Sequence, residues 1–151
     1  MNYKARISVF GGRDITEKIY NKTYNLGKLL SANKYLVYCG GGEGVMEAIA
    51  KGVYDDGGQC VGILKGLSIG EMNPYINIPI ATNMGITRNA LLAYSCEASV
   101  AISGKYGTLS EIAYALQLDK LVIGLETWDI DGVQKVSTEF EVIEKLNKIF
   151  I

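Results

Sequence analysis

The stretch Ser103–Glu111 reads Ser-Gly-Lys-Tyr-Gly-Thr-Leu-Ser-Glu and lies between an apolar strand pattern and an apolar helix pattern. Gly104 and Gly107 allow a sharp turn and let a ligand come close to the backbone. Thr108 is expected to cap the following helix, whose first turn carries unpaired N–H groups that attract anions. This stretch therefore predicts a binding site for a phosphorylated small molecule.

Two further glycine loops follow predicted strands. Gly11-Gly12 follows the first strand, and Gly40–Gly44 follows the second strand and opens a helix, which is the context of a phosphate cradle. The second loop is neither a GxGxxG fingerprint nor a Walker loop, because the ribose-binding acid and the Gly-Lys-Ser/Thr are absent. The alternative interpretation is a tight strand-to-helix turn without a ligand.

Two charged residues are candidates for chemistry. Arg88 follows Thr87 at a predicted helix start, where the helix dipole disfavours a cation. This placement favours a role in binding an anion through the guanidinium. The alternative interpretation is a solvated arginine on the surface. Glu111 either completes a capping box with Thr108 or faces the ligand, where it would stabilise a developing cation or activate water. Glu47, one turn into its helix, is a further candidate for facing the site.

Three more side chains near the glycine loops are candidates for ligand or subunit contacts. Lys105 is placed to meet a phosphate, and Tyr106 is placed to stack on a base or to contact a neighbouring subunit. Arg13, just past Gly11-Gly12, either adds a phosphate contact or lies on the surface.

Composition narrows the function classes. The chain has 151 residues and a net charge of −1 with no basic block, so we expect no nucleic-acid binding. No apolar run reaches the roughly 20 residues that span a bilayer, and Lys4 and Arg6 interrupt any signal-peptide core. We therefore expect a cytoplasmic protein without membrane association.

The residue types that the chain lacks exclude further kinds of catalytic and metal site. The chain has no histidine, which excludes Ser-His-Asp and Cys-His nucleophiles and histidine-ligated metals. Cys39, Cys60 and Cys96 have no metal-ligand spacing and are expected to be buried apolar residues, so no metal site is predicted.

Strand and helix patterns alternate along the whole chain. This predicts one α/β domain over residues 1–151, a Rossmann-like, doubly wound and mostly parallel sheet with helices on both faces and the ligand at the carboxyl ends of the strands. The predicted strands are 6–10, 35–39, 59–64, 76–80, 98–102 and 121–125, and the predicted helices are 14–32, 44–54, 86–97, 109–118 and 138–150. Capping boxes are predicted at the start of the first helix, from Asp14 with Glu17, and of the last helix, from Thr138 with Glu141. Pro79 predicts that its strand lies near an edge or an end.

Three motifs, in this order, resemble those of the LOG and molybdenum-cofactor-carrier superfamily. They are Gly-Gly-Gly-Glu-Gly-Val-Met-Glu-Ala from residue 40, Thr87-Arg88-Asn89, and Gly-Lys-Tyr-Gly-Thr-Leu-Ser-Glu from residue 104. The resemblance implies a Rossmann-like homo-oligomer, a dimer or a tetramer. It also implies one of two functions, which are hydrolysis of nucleoside 5′-monophosphates to base and ribose 5-phosphate, or binding of the phosphorylated pterin of the molybdenum cofactor without turnover.

By motif position, the resemblance makes Arg88 and Glu111 the catalytic residues if the protein is an enzyme. The chain departs from the hydrolase pattern at Ser103, Lys105 and Asn89, and it is closer to the carrier-type branch. The expectation is a carrier-like protein that requires no cofactor for activity, with a phosphoribohydrolase as the alternative and a structural or partner-binding protein as the third possibility. The predicted ligand contacts are Gly11, Gly12, Gly41, Gly42, Glu43, Gly44, Thr87, Arg88, Asn89, Gly104, Lys105, Tyr106, Gly107 and Thr108.

Overall fold

Strands and helices alternate throughout residues 2–151, which the computed structural model describes. The strands are β1 (Ala5–Gly11), β2 (Tyr35–Cys39), β3 (Cys60–Leu64), β4 (Ile78–Ala81), β5 (Ala98–Ile102), β6 (Leu121–Leu125) and β7 (Gln134–Val136). The helices are α1 (Glu17–Ala32), α2 (Val45–Asp55), α3 (Asn89–Ser95), α4 (Tyr106–Gln117) and α5 (Glu139–Ile149). The predicted α/β fold class is confirmed.

All seven strands are parallel and follow the order β4-β3-β2-β1-β5-β6-β7. The chain builds one half of the sheet outward from β1 and then returns to its other side with β5. The strand order reverses between these two neighbours, which is where open parallel sheets bind ligands. The glycine loops after β1 and β5 therefore leave the same edge of the sheet side by side.

Apolar residues cover both faces of the sheet. One core layer packs α1, α2 and α5 against the sheet, and the other packs α3 and α4 against it. Every residue of β5 is buried, as expected for a central strand between two helical layers. This two-sided core holds the carboxyl ends of β1 and β5 in place.

The two edge strands differ most from a buried strand pattern. Pro79 lies in edge strand β4, as its missing N–H predicted, although the strand spans residues 78–81 instead of 76–80. Strand β7 was not predicted, because it has only three residues and two of them are exposed. A strand that short shows no alternation of apolar and polar residues.

Several predicted helix ends were wrong. Thr16, not Asp14, caps α1, since its Oγ1 accepts a hydrogen bond from the Ile19 N–H at 3.2 Å. A 3₁₀ turn over Gly85–Arg88 precedes α3, which is shorter than the predicted helix 86–97. At α5 the prediction is confirmed, because Thr138 Oγ1 accepts from the Glu141 N–H at 3.2 Å.

Candidate functional site

A crevice of about 380 Å³ opens at the carboxyl ends of β1 and β5. It brings together the loops after these strands, the 3₁₀ turn before α3 and the first turns of α4. Of the predicted contacts, it is lined by Gly11, Gly12, Arg88, Asn89, Gly104, Lys105, Gly107, Thr108 and Glu111; the other lining residues are Arg13, Asp14, Met46, Lys65, Ile86 and Ser103.

The loop that enters α4 is held in shape by its neighbours. Ser103 donates its N–H to the Glu126 carbonyl at 3.0 Å, and Thr127 Oγ1 donates to the Ser103 carbonyl at 2.7 Å. The indole Nε1 of Trp128 donates to the Lys105 carbonyl at 3.0 Å. These bonds hold the loop in place and use none of the N–H groups in the first turn of α4.

Gly104 is the residue on which the loop turns. Its φ of +90° favours glycine, and a Cβ there would lie 2.0 Å from Thr108 Oγ1. The Cα of Gly104 also closely approaches Gly12, where an added Cβ would meet it at 3.3 Å. The first and third glycine loops are therefore in contact, as the sequence predicted for a shared crevice.

Thr108 does not cap α4, so that prediction was wrong. The helix begins at Tyr106, two residues earlier than Thr108, and its N-cap residue Lys105 makes no side-chain capping bond. The first-turn N–H groups have no intrahelical carbonyl to bond, and no side chain within residues 2–151 caps them. An anion in the crevice would meet these donors at the positive end of the helix dipole.

Arg88 is the buried cation of the site. The residue is only 9% exposed, and its Nε has no hydrogen-bond partner within residues 2–151. The guanidinium lies against the backbone of Gly40, where an added Cβ would fall 2.0 Å from Nη1. Burial lowers the pKa of Arg88 below its ordinary value, but a guanidinium stays protonated in proteins. The surface-arginine interpretation is therefore wrong.

Glu111 is the buried carboxyl of the site. It lies in the second turn of α4 and is 6% exposed, so the capping-box interpretation is also wrong. Burial raises the pKa of Glu111 to about 8, against the opposing effect of the Arg88 charge. At neutral pH the crevice therefore holds a protonated Glu111 that can donate a hydrogen bond.

Exposed charges surround these two buried groups. Arg13, Lys65 and Lys105 line the crevice and face solvent, and Asp14 is the exposed acid among them. None of these four side chains makes an ion pair within residues 2–151. With Glu111 protonated, cations outnumber anions at the crevice, which favours an anionic ligand.

The glycine loop after β2 contributes less than predicted. Of its members, Gly40 and Gly42 line a smaller hollow beside the crevice, whereas Gly41, Glu43 and Gly44 line neither. The N–H of Gly41 points at Cys39 Sγ at 3.4 Å, and that of Gly42 points at Met46 Sδ at 3.4 Å. These amides are therefore occupied in this conformation.

The remaining predicted residues lie around the crevice. Asn89 Nδ2 donates to Ser110 Oγ at 3.2 Å, which ties α3 to the first turns of α4. Thr87 Oγ1 donates to the Met84 carbonyl at 2.5 Å. Thr87 and Tyr106 line an apolar groove next to the crevice, and Glu47 lies outside both the groove and the crevice.

Sequence reasoning missed Met46 and Lys65 as site residues. Lys65 follows the end of β3, so the rule that strand ends meet at one edge of a parallel sheet was a usable signal. Met46 is a helix residue with an apolar side chain, and nothing in its sequence context distinguishes it from core.

Disulfides, metal-ion sites and membrane-spanning helices are the other features that would bear on function. Cys39, Cys60 and Cys96 are buried, as the sequence predicted, and all three are free cysteines. Within residues 2–151, no three cysteines, aspartates or glutamates are grouped to hold a metal ion. None of the helices found there has the length and apolar character needed to span a membrane.

Comparison with known proteins identifies the family. The family model described as the SLOG cluster4 family matches residues 4–149. A protein of Archaeoglobus fulgidus is 37% identical over 142 residues, which are 91% of each chain. The cytokinin riboside 5′-monophosphate phosphoribohydrolase of Arabidopsis thaliana is 31% identical over 119 residues, which cover 71% of this chain and 53% of that enzyme. The chain thus spans about half the length of the plant enzyme.

Among solved structures, the molybdenum cofactor binding protein from the phototrophic bacterium Rippkaea orientalis superimposes with a TM-score of 0.92. It is 28% identical in sequence, and the match covers 99% of this chain and 98% of that one. The resemblance seen in the sequence motifs is confirmed, as is the Rossmann-like architecture. The chain therefore belongs to the SLOG cluster4 family, within the LOG and molybdenum-cofactor-carrier superfamily.

Proposed function

We propose that the protein binds a phosphorylated small molecule, a nucleoside monophosphate or a molybdopterin-type cofactor, and holds it without turnover. The phosphate would lie at the start of α4, against the first-turn N–H groups and the Lys105 ammonium. The single observation that carries this proposal is the buried Arg88 guanidinium, which lines the crevice and forms no ion pair within residues 2–151. A buried charge with no partner is destabilising unless a ligand supplies the counter-charge.

The size of the crevice supports a ligand of this class. A volume of about 380 Å³ lies in the range of small-molecule sites. The family relationships support the same class, since they include a molybdenum cofactor binding protein and a phosphoribohydrolase that acts on a nucleoside 5′-monophosphate. They support phosphorylated-ligand binding or hydrolysis without choosing between the two.

The state of Glu111 favours a carrier over an electrostatic catalyst. A carboxylate stabilises an oxocarbenium-like transition state through its negative charge. A Glu111 that is protonated at neutral pH lacks that charge, but it donates a hydrogen bond to a ligand oxygen or nitrogen. In the carrier, Arg88 and the α4 amides would hold the phosphate, while Glu111 would orient the rest of the ligand.

Glu111 also supports a phosphoribohydrolase as the second candidate function. A protonated Glu111 would donate its proton to the leaving base as the bond between the base nitrogen and C1′ breaks. Water would then form the new bond to C1′ and return a proton to the Glu111 carboxylate. The products would be the free base and ribose 5-phosphate, and the enzyme would end in its starting protonation state.

Two measurements test the proposed function. Native mass spectrometry of the purified protein should detect a co-purified phosphorylated molecule, whereas an empty protein that also fails to bind added ligands would favour a structural role. Incubation with AMP should release no adenine if the protein is a carrier. If adenine is released, Glu111→Ala should abolish the release but spare AMP binding, which would establish the hydrolase instead.

A further inference from the structure

A second hollow adjoins the crevice on the side of the β2 loop, and we call it the basic hollow. It shares Arg13, Lys65 and Arg88 with the crevice, and Gly40 and Gly42 form its floor. Both floor residues lack side chains, and the Arg88 guanidinium lies directly against the backbone of Gly40. An added Cβ would be 2.0 Å from Arg88 Nη1 at Gly40 and 3.6 Å from Arg13 Nη2 at Gly42.

The charges of the basic hollow are not balanced by the protein. Its three cations face a single carboxylate, Glu71, and none of the four side chains forms an ion pair within residues 2–151. Arg88 is more than nine-tenths buried and its Nε has no partner. The positive charge of Arg13 also acts on Arg88, since it lowers the pKa of that guanidinium in addition to the larger effect of burial.

The phosphate at the start of α4 leaves part of this charge unused. That position is served by the α4 amides, Lys105 and Arg88, whereas Arg13 and Lys65 line the basic hollow as well as the crevice and Lys105 does not line the hollow. Like charges held next to a buried cation raise the free energy of the empty protein. Bidentate contact with a second oxyanion would offset that cost.

We propose that the basic hollow is a second anion subsite, so that the natural ligand carries two anionic groups with Arg88 between them. This inference rests on the proposed function, because it takes the first anionic group to be the phosphate at α4. The ligand class becomes a diphosphate, a bisphosphate or a phosphorylated molecule with another oxyanion at its far end. A simple monophosphate would fill only half of the site.

Tungstate, a phosphate mimic with strong anomalous scattering, tests the subsite without any assumption about the organic part of the ligand. Crystals of the protein soaked in tungstate should show two anomalous peaks, one at the start of α4 and one against Arg13 and Lys65. The Arg13→Gln/Lys65→Gln variant should lose the second peak and keep the first. Both residues are exposed, so the variant should fold, and Lys18→Gln on the exposed face of α1 is the control that keeps both peaks.

Each other outcome has a definite meaning. A peak at α4 alone would overturn the second subsite and leave the proposed function intact. If neither position shows a peak, both proposals are contradicted. A second peak that persists in the double variant would also overturn the assignment, because Arg13 and Lys65 would then not form the subsite.

Calorimetry supplies an independent readout in solution. At fixed ionic strength, ADP or adenosine 3′,5′-bisphosphate should bind roughly 10- to 100-fold more tightly than AMP, the range for hydrogen bonds to charged groups. The double variant should weaken binding of ADP and adenosine 3′,5′-bisphosphate more than that of AMP, and so remove this advantage. Whether ADP or adenosine 3′,5′-bisphosphate binds more tightly shows whether the site suits two directly linked phosphates or two separated ones. Equal affinity for AMP and both other nucleotides would contradict the proposal.

Discussion

Arg88 and Glu111 line the same crevice, are both more than nine-tenths buried, and do not form an ion pair with each other. Each therefore keeps its hydrogen-bonding capacity for a third party. Arg88 stays charged, and Glu111 is protonated at neutral pH because burial raises its pKa to about 8. The buried Arg88 Nε, which has no hydrogen-bond partner within residues 2–151, lowers stability, which is the usual consequence of preparing a site for a ligand.

Replacing Glu111 should stabilise the empty protein in a pH-dependent way. Its folded pKa of about 8 lies above the ordinary 4.5 of the unfolded chain, so the wild type loses stability as pH rises from about 4.5 to about 8. Glu111→Gln removes that loss and should gain roughly 1–4 kcal/mol over wild type at pH 8.5, with little gain near pH 4.5. Urea unfolding at several pH values measures the difference.

The exposed α5 residue Glu144 is the control for this experiment. Glu144→Gln should change stability by less than about 0.5 kcal/mol at every pH, as surface substitutions usually do. A Glu111→Gln variant whose advantage over wild type does not grow between pH 4.5 and 8.5 would contradict the raised pKa.

Gly40→Ala should weaken ligand binding without removing a charge. The new Cβ would fall 2.0 Å from Arg88 Nη1, so the guanidinium must move out of its place. We expect a loss of stability of about 1–3 kcal/mol from overpacking and a loss of affinity for the phosphorylated ligand of roughly tenfold or more. Unfolding and ligand titration measure the two effects.

Gly70→Ala is the matched control, since a Cβ there meets only Ser68 Oγ at 3.5 Å and the backbone is not in the left-handed region. It should bind ligand as the wild type does. If Gly40→Ala and Gly70→Ala bind equally well, Arg88 is not held by the loop after β2 in the way described.

Trp128 should report ligand binding by fluorescence. It is the single tryptophan of the chain, its Nε1 bonds the Lys105 carbonyl, and its ring centroid lies 6.4 Å from that of Tyr106. A phosphate at the start of α4 would change the field at the indole, so titration with AMP should shift or quench its emission. Arg88→Met should abolish the change, while Lys18→Met should keep it. If calorimetry shows that AMP binds while the Trp128 emission stays constant, this placement of the phosphate is contradicted.

The homo-oligomer implied by the family resemblance stays a proposal, and the apolar groove beside the crevice is where we expect the contact. Ile86, Tyr106 and Tyr114 line it and are 79%, 81% and 42% exposed. Clustered exposed apolar residues of this kind typically mark protein interfaces. Sedimentation should show a dimer or tetramer for the wild type and a larger monomer fraction for Ile86→Ser/Tyr106→Ser.

Phe140→Ser is the control for oligomerisation, because Phe140 is 63% exposed but lies on α5, which packs on the other face of the sheet. It should leave the assembly unchanged. A wild type that is monomeric at micromolar concentrations, or a Phe140→Ser variant as monomeric as the double variant, would contradict this interface.

Local sequence patterns were sufficient to predict most of the strands and helices of the fold. The strands 35–39, 98–102 and 121–125 were predicted to the residue, because continuous apolar runs ended by glycine or charged residues leave little choice of boundary. Helix starts were less predictable. At α4 the residues Thr108 and Glu111 match a capping box, but the helix starts earlier, and the tertiary structure uses both residues in the crevice.

The alternating α/β pattern, the glycine loops at strand ends and the presence of Arg88 and Glu111 among them could all be predicted from the order of the amino acids. These follow from periodicity, turn chemistry and motif order, which are properties of residues close together in the chain. The folded structure was needed to show that both groups are buried and form no ion pair within residues 2–151, that Lys65 and Met46 join the site, and that the amides of Gly41 and Gly42 bond sulfur atoms. Burial and pairing depend on residues far apart in the chain, and the strand order β4-β3-β2-β1-β5-β6-β7 brings these residues together.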